Sequence, residues 1–126
     1  MPIKRIVVID DCRLTLAIAR DILEEAGFEV LTAETGIDAN GYIYGTPQPD
    51  LILVDVEMPM LRGDRKVRLL KAAEASRDIP VILMSQKPAA EMERLARASG
   101  ADSYLVKPLR REALLEQITR FVAAPL

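Results

Sequence analysis

Apolar residues in this chain fall into short runs separated by stretches in which they recur every three or four positions. The runs span residues 3–9, 28–32, 51–54, 79–84 and 103–106, each short and rich enough in Ile, Val and Leu to predict a β-strand. The third, Leu51-Ile52-Leu53-Val54, lies between Pro49-Asp50 and a Met58-Pro59 turn, which predicts a strand buried on both faces. Between the runs the period becomes helical. Leu14, Ala17, Ile18, Ile22 and Ala26 predict a first helix beginning at Cys12, with Gly27 as its stop. Residues 35–44 fit a second helix only loosely, because Gly41 and Gly45 interrupt it, and residues 46–49 predict a loop. Val67, Leu70 and Ala73 mark a third helix over residues 63–76. Pro88 suits the first turn of a fourth, whose buried stripe is Met92, Leu95 and Ala96 and whose end is Gly100. Leu114, Ile118, Phe121 and Val122 face the core from a fifth, and residues 123–126 form a tail.

Strands alternating with helices in this way predict βα units, and so a parallel sheet covered on both faces. All the strand C-terminal ends then share one edge, where ligands bind in open sheets of this kind. Asp10, Asp11, Asp55, Ser85 and Lys107 stand just at or after four of those ends. They are expected to meet.

The length of 126 residues suits one domain with one core. Seventeen basic and nineteen acidic residues give a net charge of −2 with no long block of either sign, which argues against nucleic-acid binding. No apolar run reaches the length of a membrane span. The single Cys12 cannot form an internal disulfide, and Met1-Pro2-Ile3-Lys4-Arg5 leads into no signal-peptide apolar region, so a cytoplasmic location is expected. Histidine is absent. That removes Ser-His-Asp and Cys-His catalysis, histidine zinc sites and imidazole general bases.

Three carboxylates crowded at one edge repel by about 4 kcal/mol per pair at about 4 Å and an effective dielectric near 20. A hard divalent cation such as Mg²⁺ offsets this, since it prefers carboxylate, water and phosphate oxygens. Lys107 supplies a point charge for a phosphoryl oxygen and Ser85 a hydroxyl. Asp55, held at the end of the central strand, suits the role of nucleophile or metal ligand, and without histidine a carboxylate is the expected nucleophile.

Taken together, these motifs resemble the response-regulator receiver domains of two-component signalling, of the chemotaxis-regulator type, over residues 3–122. The matching residues are Asp10-Asp11, Asp55 in D-V-E-M-P-M-L-R-G with Gly63 eight positions on, Ser85, and Tyr104 three positions before Lys107-Pro108. The resemblance implies a flavodoxin-like doubly wound (βα)5 fold with strand order 2-1-3-4-5, in a single receiver domain over residues 1–126. It implies that Asp55 accepts a phosphoryl group from a sensor histidine kinase or histidine phosphotransfer protein. Asp11, Asp55 and the Glu57 carbonyl would ligate Mg²⁺, Asp10 acting through water. Lys107 would pair with the phosphoryl group, before a cis bond to Pro108. Ser85 would turn inward and Tyr104 fill the vacated space, altering the helix 4, strand 5 and helix 5 face where a downstream protein docks. Such a domain accepts a phosphoryl group and is not a turnover enzyme, and output through protein binding is expected.

Gln86 stands where the family usually has a small residue, and its side chain could cover the approach to Asp55. Glu57 and Lys87, two positions beyond Asp55 and Ser85, occupy lifetime-tuning positions and could pair across the pocket mouth. Slow dephosphorylation is therefore expected. Two other functions compete: a pseudo-receiver adaptor that never uses the phosphoryl site, and an Mg²⁺-dependent phosphohydrolase with an aspartate nucleophile. Intact Asp10, Asp11, Asp55, Ser85 and Lys107 weigh against the first. The want of any cap-forming insertion weighs against the second.

Overall fold

The computed structural model describes residues 3–124. Within them, β1 (Arg5–Ile9), β2 (Glu29–Ala33), β3 (Leu51–Asp55), β4 (Val81–Ser85) and β5 (Ser103–Val106) alternate with α1 (Arg13–Glu25), α2 (Asn40–Ile43), α3 (Gly63–Ala72), α4 (Ala89–Ser99) and α5 (Arg111–Thr119). The strands pair in parallel in the order β2-β1-β3-β4-β5, the flavodoxin-like arrangement. Strand order reverses between β1 and β3, so the chain leaves those two strands in opposite directions and opens a crevice at their C-terminal ends.

Side chains alternate across the sheet with a period of two. Val7, Ile9, Ile52, Val54 and Leu83 face a core closed by Ile43 of α2, Val67 and Leu70 of α3, and Met92 of α4. Ile6, Val8, Leu51, Leu53 and Met84 face a second core closed by Leu16, Ala19 and Leu23 of α1 and Leu114 and Ile118 of α5. Every residue of β3 and β4 is buried. That is why these strands read as unbroken apolar runs, each large side chain contributing about 1.5–3 kcal/mol by leaving water.

Several elements depart from the sequence expectation. The buried stripe of α1 is Leu16, Ala19 and Leu23, whereas Leu14 is 69% and Ile18 36% exposed. Of the expected stripe, Ile22 and Ala26 do pack at the margin of this core, so docking on the sheet turned the helix toward Leu16, Ala19 and Leu23 and left Leu14 and Ile18 outside. Only Asn40–Ile43 of the loose second helix is helical. Before it, Thr35 Oγ1 accepts the Asp38 N–H at 3.0 Å, a local bond that competes with helix formation. α3 stops at Ala72, because Ala73 turns extended (ψ 130°) and Ser76 donates its hydroxyl back to the Leu70 carbonyl. β1 begins two residues later than expected, β2 one residue later, and β4 runs Val81–Ser85 rather than 79–84. α5 ends at Thr119, leaving Phe121 and Val122 beyond it, although Val122 remains buried. Gly100 does end α4, in the left-handed region at φ 89°, where a residue without Cβ is unstrained. Of the expected tail, residues 125–126 lie outside the described part, as do residues 1–2 of the start. Among the described residues, no helix is long and apolar enough to cross a membrane.

Candidate functional site

The expected residues meet at the C-terminal edge of the sheet. Asp55 is the last residue of β3 and is 3% exposed. The chain leaves it through Val56, whose N–H donates to the Met84 carbonyl at 2.9 Å, and returns at Gly63, whose N–H donates to the Val56 carbonyl at 2.9 Å. A Cβ on Gly63 would lie 1.9 Å from the Asp55 carbonyl oxygen. Only glycine permits that approach, which gives a physical reason for the residue eight positions after Asp55.

Asp10 follows β1, fully buried, and its Oδ1 accepts the Cys12 N–H at 2.9 Å. Lys107 follows β5, and its backbone N–H donates to the Ser85 carbonyl at 2.7 Å. Its ammonium reaches back across the sheet edge to Asp10 Oδ2 at 2.6 Å and Asp55 Oδ1 at 2.8 Å. The bond to Pro108 is cis. Burial pulls the Lys107 pKa down, but its bonds to Asp10 and Asp55 outweigh that and hold it above its ordinary value. The Asp55 pKa rises too, which for a carboxylate favours the neutral form. Burial, with the Asp10 and Glu57 charges nearby, raises it to about 6 against the lowering effect of Lys107.

Asp11 is exposed, yet one carboxylate oxygen each of Asp10, Asp11 and Asp55 lie within 4.8 Å of one another. Asp10 Oδ2 is buried with no well-directed hydrogen bond, the Lys107 charge beside it notwithstanding. An all-oxygen set of this kind fits a hard divalent cation better than a soft one.

Ser85, fully buried at the end of β4, donates its hydroxyl to Glu57 Oε1 at 2.7 Å and accepts the Lys87 N–H at 3.1 Å. Lys87 Nζ stands 3.7 Å from Glu57 Oε2 and 3.5 Å from Glu91 Oε1, so the Glu57–Lys87 pairing expected from sequence is present. Gln86 is exposed and lies on the other flank of the site, lining a cavity of about 200 Å³ with Leu14, Ile18, Lys107 and Pro108. Tyr104 is half-buried and packs beside the α3 and α4 core, opposite Leu83, whereas Ser85 lies opposite Val106. The structure thus brings Asp10, Asp11, Asp55 and Lys107 together at one edge, with Ser85, Glu57 and Lys87 bonded to one another beside them.

Sequence reasoning missed the Ser85–Glu57 bond and the buried Lys66, whose ammonium donates to the Asn40 side-chain oxygen and is held below its usual pKa by burial. A lysine at a position of α3 spaced like its apolar stripe was the available signal for the second.

Comparison with known proteins is decisive at the family level. Residues 6–119 match the model of the response regulator receiver domain. The chain belongs to that family. Among relatives of this receiver domain, protein PilG of Pseudomonas aeruginosa is 36% identical over 118 residues, covering 94% of this chain and 87% of PilG. The polar-differentiation response regulator DivK of Brucella ovis is 29% identical over 119 residues, covering 94% and 96%. The chemotaxis response regulator CheY4 of Vibrio cholerae superposes with a TM-score of 0.87 at 26% identity, covering 96% of the receiver domain and all of CheY4. Receiver domains serve two-component signalling; they are signalling domains, not turnover enzymes.

Proposed function

We propose that this receiver domain, spanning residues 3–122, is a phosphoacceptor in which Asp55 takes a phosphoryl group from the phosphohistidine of a sensor kinase or phosphotransfer protein. The observation that carries this reading is the Lys107 ammonium held between Asp10 and Asp55, 2.6 and 2.8 Å from them. A cation so placed neutralises charge on the phosphoryl oxygens without having to move into position. An Asp55 oxygen attacks phosphorus, the P–N bond breaks as the P–O bond forms, and the donor imidazole departs with the bonding electron pair and takes up a proton.

Asp11, Asp55 and the Glu57 backbone carbonyl would hold Mg²⁺, with Asp10 acting through water. Bound there, the cation offsets carboxylate repulsion and the charge spreading over the transferring group. The product stays covalently attached, so the readout is conformational. Ser85 turns toward the phosphoryl oxygen, Tyr104 takes the vacated space, and the α4, β5 and α5 surface, where Val106 is 40% exposed, presents a changed face to a downstream protein. Phosphorylation acts by favouring one of two packings.

The test is intact mass after incubation with Mg²⁺ and acetyl phosphate, for the parent and Asp55→Asn. A gain of one phosphoryl group in the parent alone supports the reading. Absence of an adduct in the parent, even with a panel of phosphorylated kinases and phosphotransfer proteins, turns it toward a phosphorylation-independent adaptor.

A further inference from the structure

The Ser85 hydroxyl has one proton to donate, and Glu57 Oε1 already holds it at 2.7 Å. One of its two lone pairs is engaged too, by the Lys87 N–H at 3.1 Å. Ser85 is fully buried, so no solvent competes for that proton. Its partner is a carboxylate, which makes the bond charge-assisted and stronger than a neutral one. Glu57 projects from the loop after β3, two residues past Asp55, and so ties the β3 and β4 ends together.

We propose that Glu57 is a positioning residue that withholds the Ser85 hydroxyl, so that a phosphoryl group on Asp55 must win this proton from the Glu57 carboxylate before the domain can switch. The inference rests on the phosphoacceptor reading and adds to it a threshold specific to this chain. A destination for the released carboxylate is already in place. Lys87 Nζ lies 3.7 Å from its second oxygen, and this ion pair takes over Glu57 once Ser85 lets go. The Ser85–Glu57 bond and the Ser85–phosphoryl bond are mutually exclusive, because both need the same proton.

The test is the affinity of the metal-loaded protein for fluoroberyllate, a phosphoryl analogue, read by ¹⁹F NMR or calorimetry at saturating Mg²⁺. It compares the parent, Glu57→Ala, Ser85→Ala and the double variant. Glu57→Ala keeps the backbone carbonyl and is expected to bind about three- to tenfold more tightly, in line with loss of one charge-assisted competitor. In the Ser85→Ala background the same change is expected to bring little or no gain. Simple relief of charge repulsion would help both backgrounds alike, so the coupling between the two changes isolates the latch. Equal gains in the two backgrounds, or none in the first, overturn the inference and leave the phosphoacceptor reading standing. A parent that binds Mg²⁺ but no fluoroberyllate overturns both.

Discussion

Lys107 and Asp55 are joined by a 2.8 Å ion pair although β4 lies between the strands that carry them. The lysine spans that strand because β5 ends beside Ser85, to whose carbonyl its backbone N–H donates. Its side chain is then aimed along the sheet edge toward β3 and β1. One cation balances two buried carboxylates.

Removing it leaves Asp10 and Asp55 buried without compensation. Lys107→Ala is expected to lose about 3 kcal/mol or more of stability in metal-free buffer, the usual cost of breaking a buried pair from one side. Added Mg²⁺ is expected to raise the Tm of the variant more than that of the parent. Thermal melts with and without the cation check both, and equal Mg²⁺ responses would speak against the carboxylates as its ligands.

Asp55 predicts a pH dependence of the opposite sign to that of a salt-bridged surface acid. Its pKa is raised in the fold from an ordinary 3.8 to about 6, so the folded state holds this proton more tightly than the unfolded chain does. The ionised form therefore costs stability above pH 6, and the cost fades as pH falls from about 6 toward 4. Asp55→Asn is expected to be more stable than the parent at pH 7 to 8 without metal, by up to about 3 kcal/mol at about 1.4 kcal/mol per pKa step. The two should converge near pH 4. Denaturation midpoints across this range provide the check, and a constant difference would refute the assignment.

Gly63→Ala places a methyl group 1.9 Å from the Asp55 carbonyl oxygen. Backbone atoms on both sides leave no side chain to swing away, so the β3–α3 loop must shift. Expected are a loss of about 3 kcal/mol and a slower gain of phosphoryl mass from acetyl phosphate. Urea unfolding and intact mass measure the two effects separately.

The lifetime of the acyl phosphate tests both flanks of the pocket. Gln86 lines the cavity beside Lys107, and Glu57 with Lys87 closes the other side. Gln86→Ala and Glu57→Asn are each expected to shorten the half-life by opening a path for water. Half-lives unchanged from the parent would sink the shielding idea.

The strands and the site residues were legible in the sequence to different depths. β3 began where its apolar residues predicted, because a strand buried on both faces leaves an unbroken signature, and β5, a half-buried edge strand, appeared at its predicted residues as well. Asp55 could be placed at a strand end for the same reason. Gly63 was visible as a spacing, but its 1.9 Å constraint against the Asp55 carbonyl was not. Glu57 was legible as a partner for Lys87, yet its closer bond to Ser85 was not, since nothing in a one-dimensional pattern says which acceptor a buried hydroxyl will meet.

By itself, then, the sequence determined the alternation of strand and helix and the chemical groups at the strand ends, because period and residue type are local properties of the chain. Only the tertiary structure decided which stripe of α1 meets the sheet, how short α2 is, and which group each charge faces. With Leu14 and Leu16 two residues apart and so on nearly opposite sides of the helix, either face could have been buried on spacing alone. The choice came from shape and burial against β2 and β1, and the partners of Lys107 and Ser85 came from a parallel sheet that brings residues far apart in sequence to one edge.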